Sequence, residues 1–316
     1  MDLNALVLDY CDLTINGEDK GKNIPIVDVQ EIACSYGEPV NLEAVFSFNV
    51  KAVPEGELYL VCETPELFDI EINGEKLAQK DCGCYRDKSF RKLDISGLLR
   101  KGRNTVALKT LFKQSPETYE NISKAGGFES YRNKLSYDME IDAVYIIGNF
   151  GAETDGEFTE IPRNALSFKG SFSVAEPPKT VKCGEIATQK LPFFNGRIKY
   201  RKKIELKAGE TENRYIEFAA KPDTVTRVWA NGKLAGEILW RPYRAELGGL
   251  LKEGINIIEI ETVGTLRNLL GPFHLKEESY GLGPHTFMHI SNIWRKGLNP
   301  AWDDAYVFLK TGLFFK

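Results

Sequence analysis

Histidine is scarce in this sequence, cysteine is sparse, and a long apolar run is missing altogether. Three histidines in 316 residues leave little material for a His-rich metal centre. Six cysteines (Cys11, Cys34, Cys62, Cys82, Cys84 and Cys183) follow no disulfide framework, and such usage favours a reducing compartment without fixing the location. Cys82 and Cys84 form a C-x-C pair, but no second Cys or His pair lies nearby at ligand spacing, so two reduced thiols are expected. No apolar stretch is long enough to span a bilayer. The formal net charge of −4 gives no footprint for nucleic acid or an anionic membrane. The opening residues "MDLNALVLDYCDLTING" lack the basic and apolar regions of a secretory signal. They alternate like a strand almost at once, which leaves open that the chain is a piece of a longer protein.

Convincing amphipathic helices are scarce as well. Short β-type runs take their place: "VNLEAVFSFNV" (40–50), "GELYLVCET" (56–64), "NTVALKTLF" (104–112), "GRIKYRKKIEL" (196–206) and "INIIEIETV" (255–263). Apolar and polar residues alternate in several of them, as in a sheet with one buried face. "ISGLLRKG" and "LGGLLKEG" read as single helical turns closed by glycine. The polar stretch 115–136 shows no clear period and reads as a long surface insertion.

One phrase occurs twice. "FRKLDISGLLRKGRNTVALKT" (90–110) aligns without a gap on "PYRAELGGLLKEGINIIEIET" (242–262). Gly97, Leu98, Leu99, Gly102, Asn104 and Thr110 fall on Gly249, Leu250, Leu251, Gly254, Asn256 and Thr262. Each copy follows a tight turn, at Asn73-Gly74 and Asn231-Gly232, and then a loop bearing aromatics and arginines. The period is of domain size, so two all-β jelly-roll sandwiches in tandem are expected. Residues 1–34 would supply edge strands or the remnant of an upstream domain. The first sandwich would take 35–176 and the second 177–316, with a long C-terminal loop segment.

The phrases "INGEKL…YRDKSFRKLDISGLLRKGRNTVAL" and "ANGKLAGEILWRPYRAELGGLLKEGINIIEIETVGTLRNLLGP" resemble the galactose-binding-domain-like jelly rolls of glycoside hydrolases. Those of glycoside hydrolase family 2 and of α-L-rhamnosidase-like enzymes come closest. The resemblance covers most of 35–112 and 191–275 and implies the ancillary C-terminal region of a large bacterial glycosidase. Its partners would be carbohydrate and an upstream catalytic domain of the same parent chain, with no cofactor beyond the structural calcium that such domains often hold. Hydrolases of this kind use paired carboxylates on a (β/α)-barrel. No alternation of strands with long helices marks such a barrel here, so no catalytic residue is assigned.

Sugar binding asks for flat aromatic faces and planar groups that read hydroxyls. The loop "ILWRPYRAE" offers Trp240, Arg241, Tyr243 and Arg244, and its first-half counterpart offers Tyr85, Arg86, Asp87, Phe90 and Arg91. The segment from 265 to 308 holds all three histidines, and Arg267, Asn268, His274, Trp294 and Trp302 could line a concave patch there. Seating of the loops on the sandwiches, or packing against a neighbouring domain, would explain the same residues. His285 and His289 stand at i, i+4 without convincing helix signals. The acidic pairs Glu277-Glu278 and Asp303-Asp304 suit turn and rim roles, because adjacent carboxylates on a strand point to opposite faces. A carbohydrate-binding or ancillary module is the reading. Its alternatives are a structural or interaction module with no sugar site, and a glycosidase active by itself.

Overall fold

Strict alternation in "VNLEAVFSFNV" turns Val40, Leu42, Ala44, Phe46, Phe48 and Val50 to one face, and all six are buried. In the computed structural model, which describes residues 1–125, 129–132, 134–219, 223–274 and 302–315, this stretch is strand β4 (Val40–Val50). It runs antiparallel to β10 (Gly102–Phe112), from Gly102 opposite Val50 to Phe112 opposite Val40. Beyond β10 lie β6 (Asp69–Ile72) and β7 (Glu75–Lys76); on the β4 side lie β15 (Phe172–Ala175) and β12 (Gly151–Thr154). β2 (Tyr10–Ile15) also pairs with β4 and carries β3 (Glu18–Pro25) with it. The second layer is a five-stranded sheet in the order β1 (Asn4–Leu8), β11 (Val144–Gly148), β5 (Leu58–Glu63), β9 (Asp87–Asp94) and β8 (Asp81–Tyr85). Both layers contribute to one continuous core.

The second half repeats the central pairing on a smaller scale. β17 (Arg197–Leu206), β22 (Gly254–Val263), β19 (Val225–Ala230) and β20 (Lys233–Ile238) form a four-stranded sheet in that order. A two-stranded layer, β18 (Tyr215–Glu217) with β21 (Arg244–Glu246), completes it. Gly254 stands opposite Leu206 as Gly102 stands opposite Val50, and Asn256 opposite Ile204 as Asn104 opposite Phe48. Strand holds 47% of the residues and helix 11%, so the all-β sandwich class expected from the sequence is the one observed.

The twice-used phrase is held by a pair of asparagines in each copy. Asn73 and Asn231 have φ of 54° and 51° and are followed by Gly74 and Gly232, also at positive φ. These are tight turns that residues tolerant of positive φ favour. From there Asn73 Nδ2 donates to Leu98 O and Asn104 Oδ1 at 3.1 and 3.0 Å, while Thr105 N–H donates to Asn73 Oδ1. Asn104, fully buried, accepts from Arg100 N–H and donates to the carbonyls of Arg100 and Gly102. Asn231 and Asn256 make the same six bonds in the second half, to Leu250, Ile257, Lys252 and Gly254. The segments expected as helical turns are β-turns instead. Leu98 N–H reaches Ile95 O and Leu250 N–H reaches Leu247 O, each across three residues, with Gly97 and Gly249 at positive φ.

Two further differences from the sequence reading concern helices and the C-terminal end. Residues 115–136, expected as a long surface insertion without a clear period, contain α2 (Pro116–Ala125) and the short α3 (Glu129–Arg132). Ser115 starts the helix by accepting Thr118 N–H on Oγ, with Pro116 at the first helical position. Near the N-terminus α1 (Ile26–Cys34) buries Ile26, Val29, Ala33 and Cys34 on one side. Near the C-terminus α4 (Arg267–Leu270) precedes β23 (Tyr306–Leu309), which pairs with β14 (Ala165–Phe168), itself joined to β13 (Phe158–Ile161). β23 thus belongs to the first unit, although it lies beyond the boundary drawn at 176/177. Tyr306 and Phe308 demand burial, and Phe172, Phe193 and Phe273 surround them with ring centroids 5.0–6.1 Å away. Last, β24 (Gly312–Leu313) pairs with β16 (Gly184–Glu185), and Phe315 bridges to Phe218.

Candidate functional site

Where β1 ends and β2 begins, Asp9 sits nearly buried with both carboxylate oxygens engaged. Tyr306 Oη donates to Oδ1 at 2.7 Å, and His274 Nε2 lies 3.1 Å from Oδ2. A carboxylate accepts, so Nε2 carries the proton of that contact. β23 brings Tyr306, and the chain leaving α4 brings His274. The His274 ring stacks on Trp302, with centroids 4.9 Å apart and planes 24° apart. Tyr10 and Tyr306 meet it edge-on at 5.1 and 4.5 Å. Trp302 is fixed in turn, because its Nε1 donates to Asp304 Oδ1 at 3.1 Å and Tyr10 Oη donates to the same oxygen at 3.3 Å. Burial first, then the charges of Asp9 and Asp304, hold the Tyr10 hydroxyl well above the usual tyrosine range. The Tyr306 hydroxyl is raised for the same leading reason, with Asp9 next.

This assembly is one wall of a cleft of roughly 250 Å³. Glu63 at the end of β5, Phe90 on β9 and Asp142 before β11 also line it, together with Val7, Tyr145 and Phe273. Ser89 Oγ donates to Glu63 Oε1 at 3.0 Å. Asp142 opens to solvent at the mouth, yet protein packs closely around its carboxyl. Desolvation first, then the charges of Glu63 and Glu140, push that carboxyl up to about 7. Glu63 is raised mainly by burial. No lysine or arginine lines the cleft among the described residues, so its polarity is aromatic and acidic. Among those residues no group of three His, Cys, Asp or Glu side chains is arranged to hold a metal ion.

The residues singled out in the sequence separate into three places. His274 and Trp302 meet in the cleft. Arg267 and Asn268, expected on an open patch, are buried under β23. Asn268 Nδ2 donates to Leu309 O and its Oδ1 accepts Leu309 N–H, both at 2.9 Å, so the whole amide is spent on clamping the strand. Arg267 Nη1 reaches Val307 O at 3.4 Å, and burial lowers its pKa to about 10. Trp240, Arg241, Tyr243 and Arg244 lie together on the second sandwich, away from the cleft. Trp240 is 74% exposed, Tyr243 packs on the small core, and Arg244 stacks 4.0 Å from the Tyr215 ring while pairing with Glu246. Trp294, His285, His289, Glu277 and Glu278 lie outside the described residues.

The first-half loop docks the two halves together. Tyr85 Oη and Arg86 Nε both reach Asn195 Oδ1, Arg86 also faces Asp2, and Arg91 pairs with Asp81. Phe90 is the member of that loop group that faces the cleft. Asp9, Tyr10, Tyr306, Glu63 and Asp142 were not singled out in the sequence. Asp9, between two apolar strand runs, and Tyr306, in a short apolar run, carry no local signal. Their chemistry appears when positions about 265 and 297 residues apart meet.

No family model and no curated protein matches the chain. Among solved structures it is similar to a β-D-mannosidase from Dictyoglomus thermophilum, at 14% identity and a TM-score of 0.31, over 82% of this chain and 31% of that one. A rhamnosidase from Novosphingobium sp. PP1Y gives 13% identity and a TM-score of 0.24, over 94% of this chain and 24% of that one. A β-glucuronidase of glycoside hydrolase family 2 gives 11% and 0.29, over 84% and 27%. The chain therefore spans between a quarter and a third of the length of these glycoside hydrolases. Likeness at this level assigns neither a family nor a function.

Proposed function

We propose that this chain is a non-catalytic carbohydrate-binding region of a glycoside hydrolase, and that its ligand seat is the His274–Trp302 cleft of the first sandwich. The observation that carries the reading is the fixed indole. Trp302 is stacked on a buried imidazole and tied through Nε1, in a cleft whose lining also carries the carboxyls of Glu63 and Asp142. An aromatic face held without rotamer freedom offers a stacking platform for pyranose C–H groups at little entropic cost. Acceptor oxygens around it suit sugar hydroxyls, which are good donors. The repeated jelly-roll phrase supports the setting, since its resemblance is to ancillary domains of such enzymes.

The test is a glycan array followed by titration of tryptophan fluorescence with the sugars retained. Binding should be lost in Trp302→Ala and kept in Trp240→Ala. Loss in Trp240→Ala alone would move the seat to the exposed loop of the second sandwich. Absence of binding to every oligosaccharide would leave the chain a structural module, and turnover of chromogenic glycosides by this chain alone would overturn the non-catalytic assignment.

A further inference from the structure

The two halves differ at one structural position. In the first sandwich the edge of β4 away from β10 is occupied along most of its length. β2 covers Leu42 to Phe46, with Ile15, Leu13 and Cys11 opposite Leu42, Ala44 and Phe46, and β15 covers Asn49 and Val50. The register equates β4 with β17: Leu42 with Ile198, Ala44 with Tyr200, Phe46 with Lys202, Phe48 with Ile204 and Val50 with Leu206. Yet β17 ends its sheet. Among the described residues no strand pairs with its outer edge, and Asp2 touches it at Arg197 alone, through one backbone bond and its carboxylate. Along that edge runs an open groove of roughly 1080 Å³, floored by Ile198, Tyr200, Ile204, Leu206, Ile258 and Ile260.

The groove has a definite charge. Lys179, Lys182, Lys199, Arg201, Lys202 and Arg214 line it with Glu217, in a chain whose net charge is −4. Lys199 and Arg201 stand across the sheet from Glu261 and Glu259, and Arg214 pairs with Glu210, which leaves Lys179, Lys182 and Lys202 as its surplus of positive charge. Lys202 stands opposite Ile258, so it lies on the inner face, where the first sandwich buries Phe46. The Tyr200 hydroxyl, buried beside the groove, has no hydrogen-bond partner among the described residues. A second copy of β17 fits this edge badly, because "RIKYRKKIEL" laid against itself sets cation against cation.

We propose that the free edge of β17 is a docking site for an extended acidic segment of a partner protein, which adds as a strand where β2 sits in the first sandwich. Its backbone satisfies the exposed N–H and C=O groups of the edge. Apolar side chains at alternate positions enter the groove over Ile198 and Tyr200, and the carboxylates between them meet Lys199 and Arg201 on the other face of the strand.

The probe is a fluorescently labelled, acetylated peptide of nine residues alternating glutamate with valine, titrated against the whole chain by anisotropy. Binding is expected that weakens with added salt and falls at least tenfold in the double variant Lys199→Glu/Arg201→Glu. The same peptide N-methylated at alternate residues, and one with lysine in place of glutamate, should not bind. These two comparisons use the unaltered protein, so they decide the matter even if the double variant folds poorly. Absence of binding by the acidic peptide overturns the proposal, as does equal binding by the N-methylated or lysine peptide. Dimerisation of the unaltered protein in sedimentation, at concentrations where the peptide no longer binds, overturns it in favour of a second copy.

Discussion

Asp142, which lines the cleft, has its carboxyl raised to about 7, and Glu185, on β16 opposite Gly312 of β24, is raised to the same value, in each case first by burial. Both unfold into a chain where such groups titrate near 4. Between about pH 5 and 7 these two groups therefore carry more protons in the folded protein than in the unfolded chain, and their contribution to stability falls as the pH rises through that window. Glu153, lowered to about 2 chiefly by Lys51 and Lys190, and other lowered carboxylates such as Asp87 and Asp138 act in the opposite sense on the acid side of it. The unfolding midpoint should thus decline from about pH 5.5 to pH 8, and Asp142→Asn should flatten part of the slope. A midpoint that rises across the window in the unaltered protein would contradict the assignment. At this scale the sequence was legible in part. His274 and Trp302 stood out because histidine and tryptophan are rare here, and the fold does bring them together. Asp9 and Tyr306 are common residue types in ordinary runs, and nothing local marks their contact. Asn268 looked like a ligand group because its amide is planar and polar, but the fold spends that amide on the backbone of Leu309.

Among the elements, the paired turns are the feature most exposed to a single change. Asn256 accepts Lys252 N–H and donates to two carbonyls in a fully buried position. Replacing it with alanine strands these groups away from water, at about 1–3 kcal/mol for each group left unsatisfied. Asn256→Ala and Asn104→Ala should each lower stability by about 3 kcal/mol, read as a shift in denaturant midpoint with little change in slope. An effect under about 0.5 kcal/mol would mean that the turns hold without the clamp. The glycines, the Asn-Gly turns and the strands β4, β10, β17 and β22 were readable, since alternation and turn chemistry are local. The partnership of Asn73 with Asn104 was not, because the bond spans 31 positions and the strands β7, β8 and β9. β23 was hidden for a related reason. Four apolar residues have no period to read, and the strand they join, β14, lies some 140 residues earlier.

Taken as one molecule, the chain is duplicated in sequence but interleaved in space. The repeat was legible as a phrase; the crossing of segments between the halves was not, because it depends on which buried faces remain to be filled. The first core contains Phe193, Leu269, Phe273, Tyr306 and Phe308, all from beyond the boundary drawn at 176/177. The second sandwich has a much smaller core and is tied back through Leu313, the Phe218–Phe315 pair, the Asp2–Arg197 contact and the Asn195 latch on Tyr85 and Arg86. Small cores bury too little apolar area to offset chain entropy on their own. The second half should therefore unfold together with the first, in one transition whose calorimetric and van't Hoff enthalpies agree. Phe308→Ala, which opens the shared aromatic cluster, should lower that single transition by about 3–5 kcal/mol of stability. Two resolved transitions, with Phe308→Ala shifting one and sparing the other, would show that the halves fold independently despite the strands and rings they share.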